Sequence, residues 1–347
     1  MIKTGATNAI TDVAGLRVGA AHDVDVRTGV TVVLPDTRAI AAVDVRGGGT
    51  GTRELELLSS DGTVDAVDAL VLSGGSAFGL AAADGVAGWL AENGRGFPVG
   101  DMRVPLVPTA ILFDLLNGGD NAGFSGSADD ALPYRALALQ AVLEAGDTIG
   151  NGNVGAGYGA VTTGHDGRKL KGGQGTASFV IDGGITIGAL AAVNAVGSVV
   201  ANEAGQFWAG PIEQADEFGG RGGPAQIEVL DHPLNKYGDL AESANTTLVV
   251  VATDAALDQR QARRVAMMAQ AGLARSIRPV FSPMDGDVVF ALSTGIHAVD
   301  DVRHVAQIGM LAADCVTRAV ARGIYHAQAL DDVWESYGQA YPIHDGR

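Results

Sequence analysis

Residues 243–254 read Ser-Ala-Asn-Thr-Thr-Leu-Val-Val-Val-Ala-Thr-Asp, and they hold the sharpest chemical possibility in this 347-residue chain. A polar segment ends at Asn245, and Thr246 opens an apolar, β-branched run that reads as a buried strand. A threonine placed there can attack the carbonyl that precedes it and form an ester, which water then cleaves. The freed hydroxyl would sit beside its own α-amine, whose ordinary pKa of about 7.7–8.0 suits a base near neutral pH. Taken alone, Asn-Thr before a strand is commonplace and assigns nothing.

Other reactive types give weaker signals. The seven histidines (His22, His165, His232, His297, His304, His326 and His344) form no HxxxH or HExxH pattern, so no catalytic zinc is expected. Cys315 lies among apolar residues of a long helical pattern and reads as a small core residue. Three glycine-rich segments invite a nucleotide reading: 47–52 (GGGTGT), 73–79 (SGGSAFG) and 152–159 (GNVGAGYG). None combines the GxGxxG spacing with a strand before and a helix after, and no GxxxxGK[ST] occurs. Tight turns and backbone packed near a site are the favoured reading, and no cofactor or metal is expected.

The elements that must position any site follow from periodicity. Val30–Leu34, Ala39–Val45, Val67–Leu72, Ile185–Val200 (with Asn194 embedded), Thr247–Ala252 and Val288–Ser293 read as strands. Leu80–Glu92 reads as a helix stopped by Asn93-Gly94, Asp258–Ala271 as one stopped by Gly272, and about 300–322 as a long amphipathic helix stopped by Gly323. Residues 202–245 are the most polar and least periodic stretch, and they are the best linker candidate. Strands and helices in mixed order predict a layered α/β fold rather than a regular doubly wound sheet. The 50 glycines, about double an ordinary share, predict many close backbone approaches.

Charge excludes some partners. With 23 Lys+Arg against 40 Asp+Glu the net charge is −17, so nucleic acid and anionic membrane surfaces would be repelled. A single cysteine cannot form an internal disulfide. No signal-peptide pattern opens the chain and no apolar run is long enough to span a bilayer, so a cytoplasmic protein is expected.

Several segments together resemble the DmpA-like peptidases, the S58 family. They are 10–19 (ITDVAGLRVG), 28–35 (TGVTVVLP), 45–54 (VRGGGTGTRE), 72–80 (LSGGSAFGL), 104–115 (VPLVPTAILFDL), 152–157 (GNVGAG), 170–178 (LKGGQGTAS), 192–197 (AVNAVG), 245–254 and 284–292 (MDGDVVFAL). The resemblance implies an α/β/β/α four-layer sandwich of the self-processing N-terminal-nucleophile type. It implies one DmpA-like domain over 1–347, cut between Asn245 and Thr246 into an α chain, 1–245, and a β chain, 246–347. Thr246 takes the nucleophile position, and Asn194 matches the asparagine whose amide donates to an oxyanion. Asp285 and Asp287 match an acidic pair of the nylon-hydrolase branch. Gly286 between them allows a tight bend, and spacing two can aim both carboxylates to one side, toward the Thr246 amine and a substrate ammonium. The plain alternative is an acidic turn. Lys171 is carried over from the shared LKGG segment, although the nylon hydrolases place their lysine near what is Gly164, and Lys169 is also close. Those hydrolases also carry a tyrosine where this chain has Phe113.

The leading expectation is a self-cleaving threonine hydrolase of small peptides or amino-amide oligomers with a free amine, working as a homotetramer of processed αβ protomers. Two alternatives stay open. One is an acyltransferase using the same acyl-threonine ester, and the other is an unprocessed, non-catalytic small-molecule-binding protein.

Overall fold

Alternation along the apolar runs decides the layering. In 246–255, Leu248, Val250 and Ala252 face one apolar cluster while Val249 and Val251 face another, so the strand is buried on both sides. The computed structural model describes residues 1–59, 62–121, 132–227, 236, 245–299, 301–331 and 333–342. Its strands in chain order are β1 (Leu16–Asp23), β2 (Thr28–Pro35), β3 (Ala39–Val45), β4 (Gly51–Arg53), β5 (Ala66–Val67), β6 (Leu70–Ser73), β7 (Phe97–Val99), β8 (Met102–Val104) and β9 (Thr109–Ile111). They continue with β10 (Val161–Thr163), β11 (Lys169–Lys171), β12 (Gly173–Val180), β13 (Thr186–Asn194), β14 (Thr246–Ala255) and β15 (Val288–His297). The helices are α1 (Ala82–Glu92), α2 (Tyr134–Leu143), α3 (Gln259–Ser276), α4 (Val302–Tyr325) and the short α5 (Tyr337–Ala340).

Two sheets stack face to face. One has the order β1-β2-β6-β9-β4 and the other β12-β13-β14-β15-β3-β5. Leu16, Val18, Val33, Leu70, Leu72 and Ala110 of the first meet Leu190, Ala192, Leu248, Val250, Val288 and Phe290 of the second. The outer face of the six-stranded sheet is covered by α3 and α4, through Val249, Val251, Val289, Val265, Ala269, Leu311 and Val316. The outer face of the five-stranded sheet is covered by α1 and α2, through Val30, Val32, Val71, Val86, Leu90 and Ala138. The result is the four-layer α/β/β/α sandwich that the resemblance implied. No helix among the described residues is long and apolar enough to cross a membrane.

The helix starts follow local chemistry: Asp258 caps α3 by accepting the Gln261 N–H at 2.8 Å, and Asp301 caps α4 through the Arg303 N–H at 2.8 Å. The stop expected at Asn93-Gly94 holds, since α1 ends at Glu92, but those expected at Gly272 and Gly323 fail. Helix α3 runs through Gly272 to Ser276, and α4 runs through Gly323 to Tyr325. Both glycines serve close approach instead. A Cβ at Gly272 would lie 2.7 Å from Val316 Cβ on α4, and one at Gly323 would lie 2.9 Å from the Gly175 nitrogen on β12. The strand expected over Ile185–Val200 ends at Asn194.

The described part of the expected linker is not a linker either; residues 228–235 and 237–244 lie outside the described residues. Phe207, Ala209 and Phe218 are core residues, and Phe207 stacks on Tyr337 with ring centres 4.5 Å apart. Glu217 pairs with fully buried Arg318 of α4, which also donates to Asn8 Oδ1 at 2.7 Å and Ser178 O at 3.1 Å. Glu217→Ala leaves that guanidinium without its buried counter-charge. It is expected to lower unfolding free energy by about 3–5 kcal/mol in denaturant titration, whereas a linker glutamate would change it by almost nothing.

Candidate active site

Strands β13 and β14 run antiparallel, and their pairing places Asn194 directly opposite Thr246. The parity that sends Leu190, Ala192, Leu248 and Val250 between the sheets continues to these two residues, so both side chains face the inter-sheet layer at its end. Both are buried. Asn194 Nδ2 donates to Phe113 O at 2.9 Å, just past β9, and Asn194 Oδ1 accepts the Val161 N–H at 2.9 Å. The amide thus ties the two sheets together across the site.

The Asn245–Thr246 peptide group is held on both sides. The Thr246 hydroxyl lies against the Asn245 carbonyl oxygen, to which it donates. The same oxygen accepts the Gly286 N–H at 2.9 Å. Gly286 has to be glycine, because a Cβ there would come within 2.6 Å of Thr246 Oγ1.

Asp285 and Asp287 flank this glycine and fix the loop that carries it. Asp285 accepts the Val196 N–H at 3.2 Å and the Ser282 hydroxyl at 2.6 Å. Asp287 accepts the Thr247 N–H at 2.8 Å through one oxygen and the Phe281 N–H at 3.0 Å through the other. Burial raises both carboxyls above the usual range, and the neighbouring Asp285 charge helps push Asp287 up to about 7. The segment 46–49 backs the loop: the Arg46 and Gly47 N–H groups donate to Asp287 O, and the Gly49 N–H donates to Asp285 O at 2.8 Å. A Cβ on Gly47 would strike the backbone of 285–287, which explains one of the glycine-rich motifs without a nucleotide.

Lys171, carried over from the LKGG segment, closes the short strand β11. It is fully buried, and its ammonium donates to the Gly157, Ala160 and Gly172 carbonyls at 2.8–3.0 Å. Burial lowers its pKa to about 7, against the pull of Asp114. These bonds go to main-chain oxygens and none reaches Thr246. Lys169 lies instead over the Trp334 ring, 4.6 Å from its centre. Cys315 is a buried residue of α4 that faces Ile187 of β13, and burial pushes its thiol up to about 12, as for a core residue.

Two groups escaped the sequence reading. Asp114, directly after Phe113, is buried, accepts the Thr28 hydroxyl at 2.7 Å and the Gly75 N–H at 2.7 Å, and is raised by burial to about 6. An aspartate closing an apolar run was its only signal. Lys236 is buried too, and its ammonium donates to Val161 O, to Asn194 O at 2.7 Å and to Asn194 Oδ1 at 3.1 Å. Burial drives its pKa well down, against the pull of Asp285. Nothing in the aperiodic stretch around it marks this lysine in sequence.

The layered fold is similar to that of the L-aminopeptidase D-Ala-esterase/amidase of Ochrobactrum anthropi, which is described as a variant of the Ntn hydrolase fold. The chain matches that structure with a TM-score of 0.70 at 23% identity, over 96% of this chain and 92% of that one. A Burkholderia sp. beta-aminopeptidase matches with a TM-score of 0.67 at 24% identity, over 98% and 94%. The model of Peptidase family S58 matches residues 8–335, and the chain belongs to that family. It is 42% identical to a Mycobacterium tuberculosis protein described as an uncharacterized aminopeptidase, over 96% of this chain and 98% of that one. It is 30% identical to the 6-aminohexanoate-oligomer endohydrolase of Kocuria sp., over 84% and 76%. The protein is accordingly a hydrolase of peptide or amide bonds.

Asp287 offers a test of the site's electrostatics. A carboxyl whose folded pKa is raised binds its proton more tightly in the folded than in the unfolded state. Its contribution is present at low pH and is lost as pH rises from about 4, the ordinary aspartate value, to about 7. The unfolding free energy of the wild type is expected to fall over that window, and Asp287→Asn should flatten the fall. Identical slopes in the two proteins, measured by urea titration at pH 5 and pH 8, would contradict a buried, proton-holding Asp287.

Proposed function

We propose that the chain cuts itself between Asn245 and Thr246 and then uses Thr246 as an N-terminal nucleophile against amides that carry a free amine. One observation carries this reading: the same carbonyl group, that of Asn245, is approached by the Thr246 hydroxyl and held by the Gly286 N–H. A nucleophile and an oxyanion donor on one carbonyl are what acyl transfer needs.

In the first step Thr246 Oγ bonds to the Asn245 carbonyl carbon while the C–N bond to Thr246 breaks. The hydroxyl proton ends on the departing nitrogen. Water then hydrolyses the Asn245 ester, which leaves a carboxylate on Asn245 and a free hydroxyl and α-amine on Thr246. In turnover that amine takes the hydroxyl proton, Oγ attacks the substrate carbonyl, and water resolves the acyl-threonine. Asn194, one rung across from Thr246, is the donor proposed for the substrate oxyanion, with its amide turning from Phe113 O. Phe113 offers no hydroxyl, so that donor set lacks a tyrosine. Asp285 and Asp287 act by holding the Gly286 loop and by placing negative charge beside the new amine. Lys171 braces the carbonyls behind Asn194.

The names of the relatives support small peptides or amino-amide oligomers as substrates. The working form is proposed as four processed αβ protomers in the cytoplasm, and the net charge of −17 favours a substrate with a cationic end.

Thr246→Ala should stay one chain and hydrolyse no amide, while Thr246→Ser keeps a hydroxyl and should still be cut. Gly286→Ala should slow cutting, because the added methyl crowds Thr246 Oγ1. Asn194→Ala should lose roughly 10²–10³ in kcat, the usual loss for one such donor. A panel of L-Ala, D-Ala and β-Ala amides and 6-aminohexanoate dimer reads these effects. A fully active Thr246→Ala would reject the nucleophile.

A further inference from the structure

Lys236 is the least expected group at the site. A lysine side chain from the polar stretch upstream of the junction is only 3% exposed, at the rung where Asn194 faces Thr246. Burying an ammonium is expensive unless its donors are met, and here they are. Val161 O, Asn194 O and Asn194 Oδ1 converge on Nζ, and the Asp285 charge acts on it from the neighbouring loop. Val161 and Asn194 are themselves completely buried, so this is a built cage of oxygens.

The geometry points to an ammonium subsite beside Thr246 that the uncut chain fills with its own Lys236, and that a substrate's primary ammonium takes once Lys236 has left. This rests on Thr246 being the nucleophile. Lys236 precedes the cut, so it belongs to the upstream fragment, while the nucleophile belongs to the downstream one. The occupant is thus supplied by the piece of chain whose link to the strand is broken by maturation. Lys236 also holds Asn194 Oδ1, which keeps the Asn194 amide turned to Phe113 O. Its departure would remove one of the donors on Asn194 Oδ1, leaving the Val161 N–H there, and would open the cage. The stem of Lys236 is unbranched and enclosed, so the ligand is a primary ammonium on a narrow, unbranched alkyl chain.

The test uses full-length protein carrying Thr246→Ala, alone and combined with Lys236→Ala, titrated with n-butylammonium at neutral pH by calorimetry. The double variant should bind the amine about tenfold or more tightly than the single variant. 1-Butanol should show no such gain. Lys236→Met, which keeps a stem in place, should bind as weakly as the single variant. Equal amine binding with and without Lys236, or an equal gain for butanol, would overturn the inference. Should Lys236→Ala fail to fold, the wild-type hydrolase decides: n-butylammonium should raise KM for amide hydrolysis without changing kcat, and butanol should do neither. Absent or non-competitive inhibition would overturn the inference by this route. The binding readouts in the Thr246→Ala background do not depend on cleavage, whereas the wild-type inhibition assay uses the cut, active protein. If the wild type proves uncut, the nucleophile reading falls on that count alone; if it is cut but the amine does not bind, only the subsite falls.

Discussion

The β13–β14 ladder ends with Asn194 opposite Thr246, and the site depends on that last rung. Strand alternation aims both side chains between the sheets, while the main chain continues upstream to Asn245. There the backbone meets the 285–287 loop, whose Gly286 N–H takes the Asn245 oxygen. The loop is placed in turn by two buried carboxylates that accept main-chain N–H groups from Val196, Thr247 and Phe281. A one-residue slip of β14 would turn Thr246 away from the inter-sheet layer and away from Asn194.

A second constraint is the density of buried charge in a chain with few charged residues. Asp114, Lys171, Lys236, Asp285 and Asp287 are all buried. Each is met mainly by main-chain groups in place of water, which requires backbone to come unusually close. Glycine makes that possible: Gly74 and Gly75 wrap Asp114, Gly157 and Gly172 offer carbonyls to Lys171, and Gly47 backs the aspartate loop. Part of the glycine richness therefore serves the polar interior, at Asp114, Lys171 and the aspartate loop.

Much of this was legible in the sequence. The strand after Thr246 and the apolar runs announced themselves through periodicity, their mixed order with helices implied a layered α/β fold, and the Asp285/Asp287 pair and the four-layer sandwich followed from the resemblance those segments carry. Gly272 and Gly323 misled because a helix-stopping glycine and a helix-packing glycine look alike until the partner surface is known. The stretch after residue 202 misled for a related reason: polarity and aperiodicity suit a linker, but Phe207, Phe218 and Glu217 are anchored by contacts far away in sequence. Gly286 as a donor was invisible because a main-chain N–H has no residue signature. Lys236 was invisible because its partners come from β10 and β13, and no spacing in its own segment encodes them.

The central claim is that the Asn245–Thr246 bond is built to break. Intact mass measurement of the purified wild-type protein, with N-terminal sequencing of each fragment, tests it most directly. The expected result is two fragments, one starting at Met1 and one starting at Thr246. An active protein that remains a single chain, or a smaller fragment that starts at Thr247 or elsewhere, would contradict it.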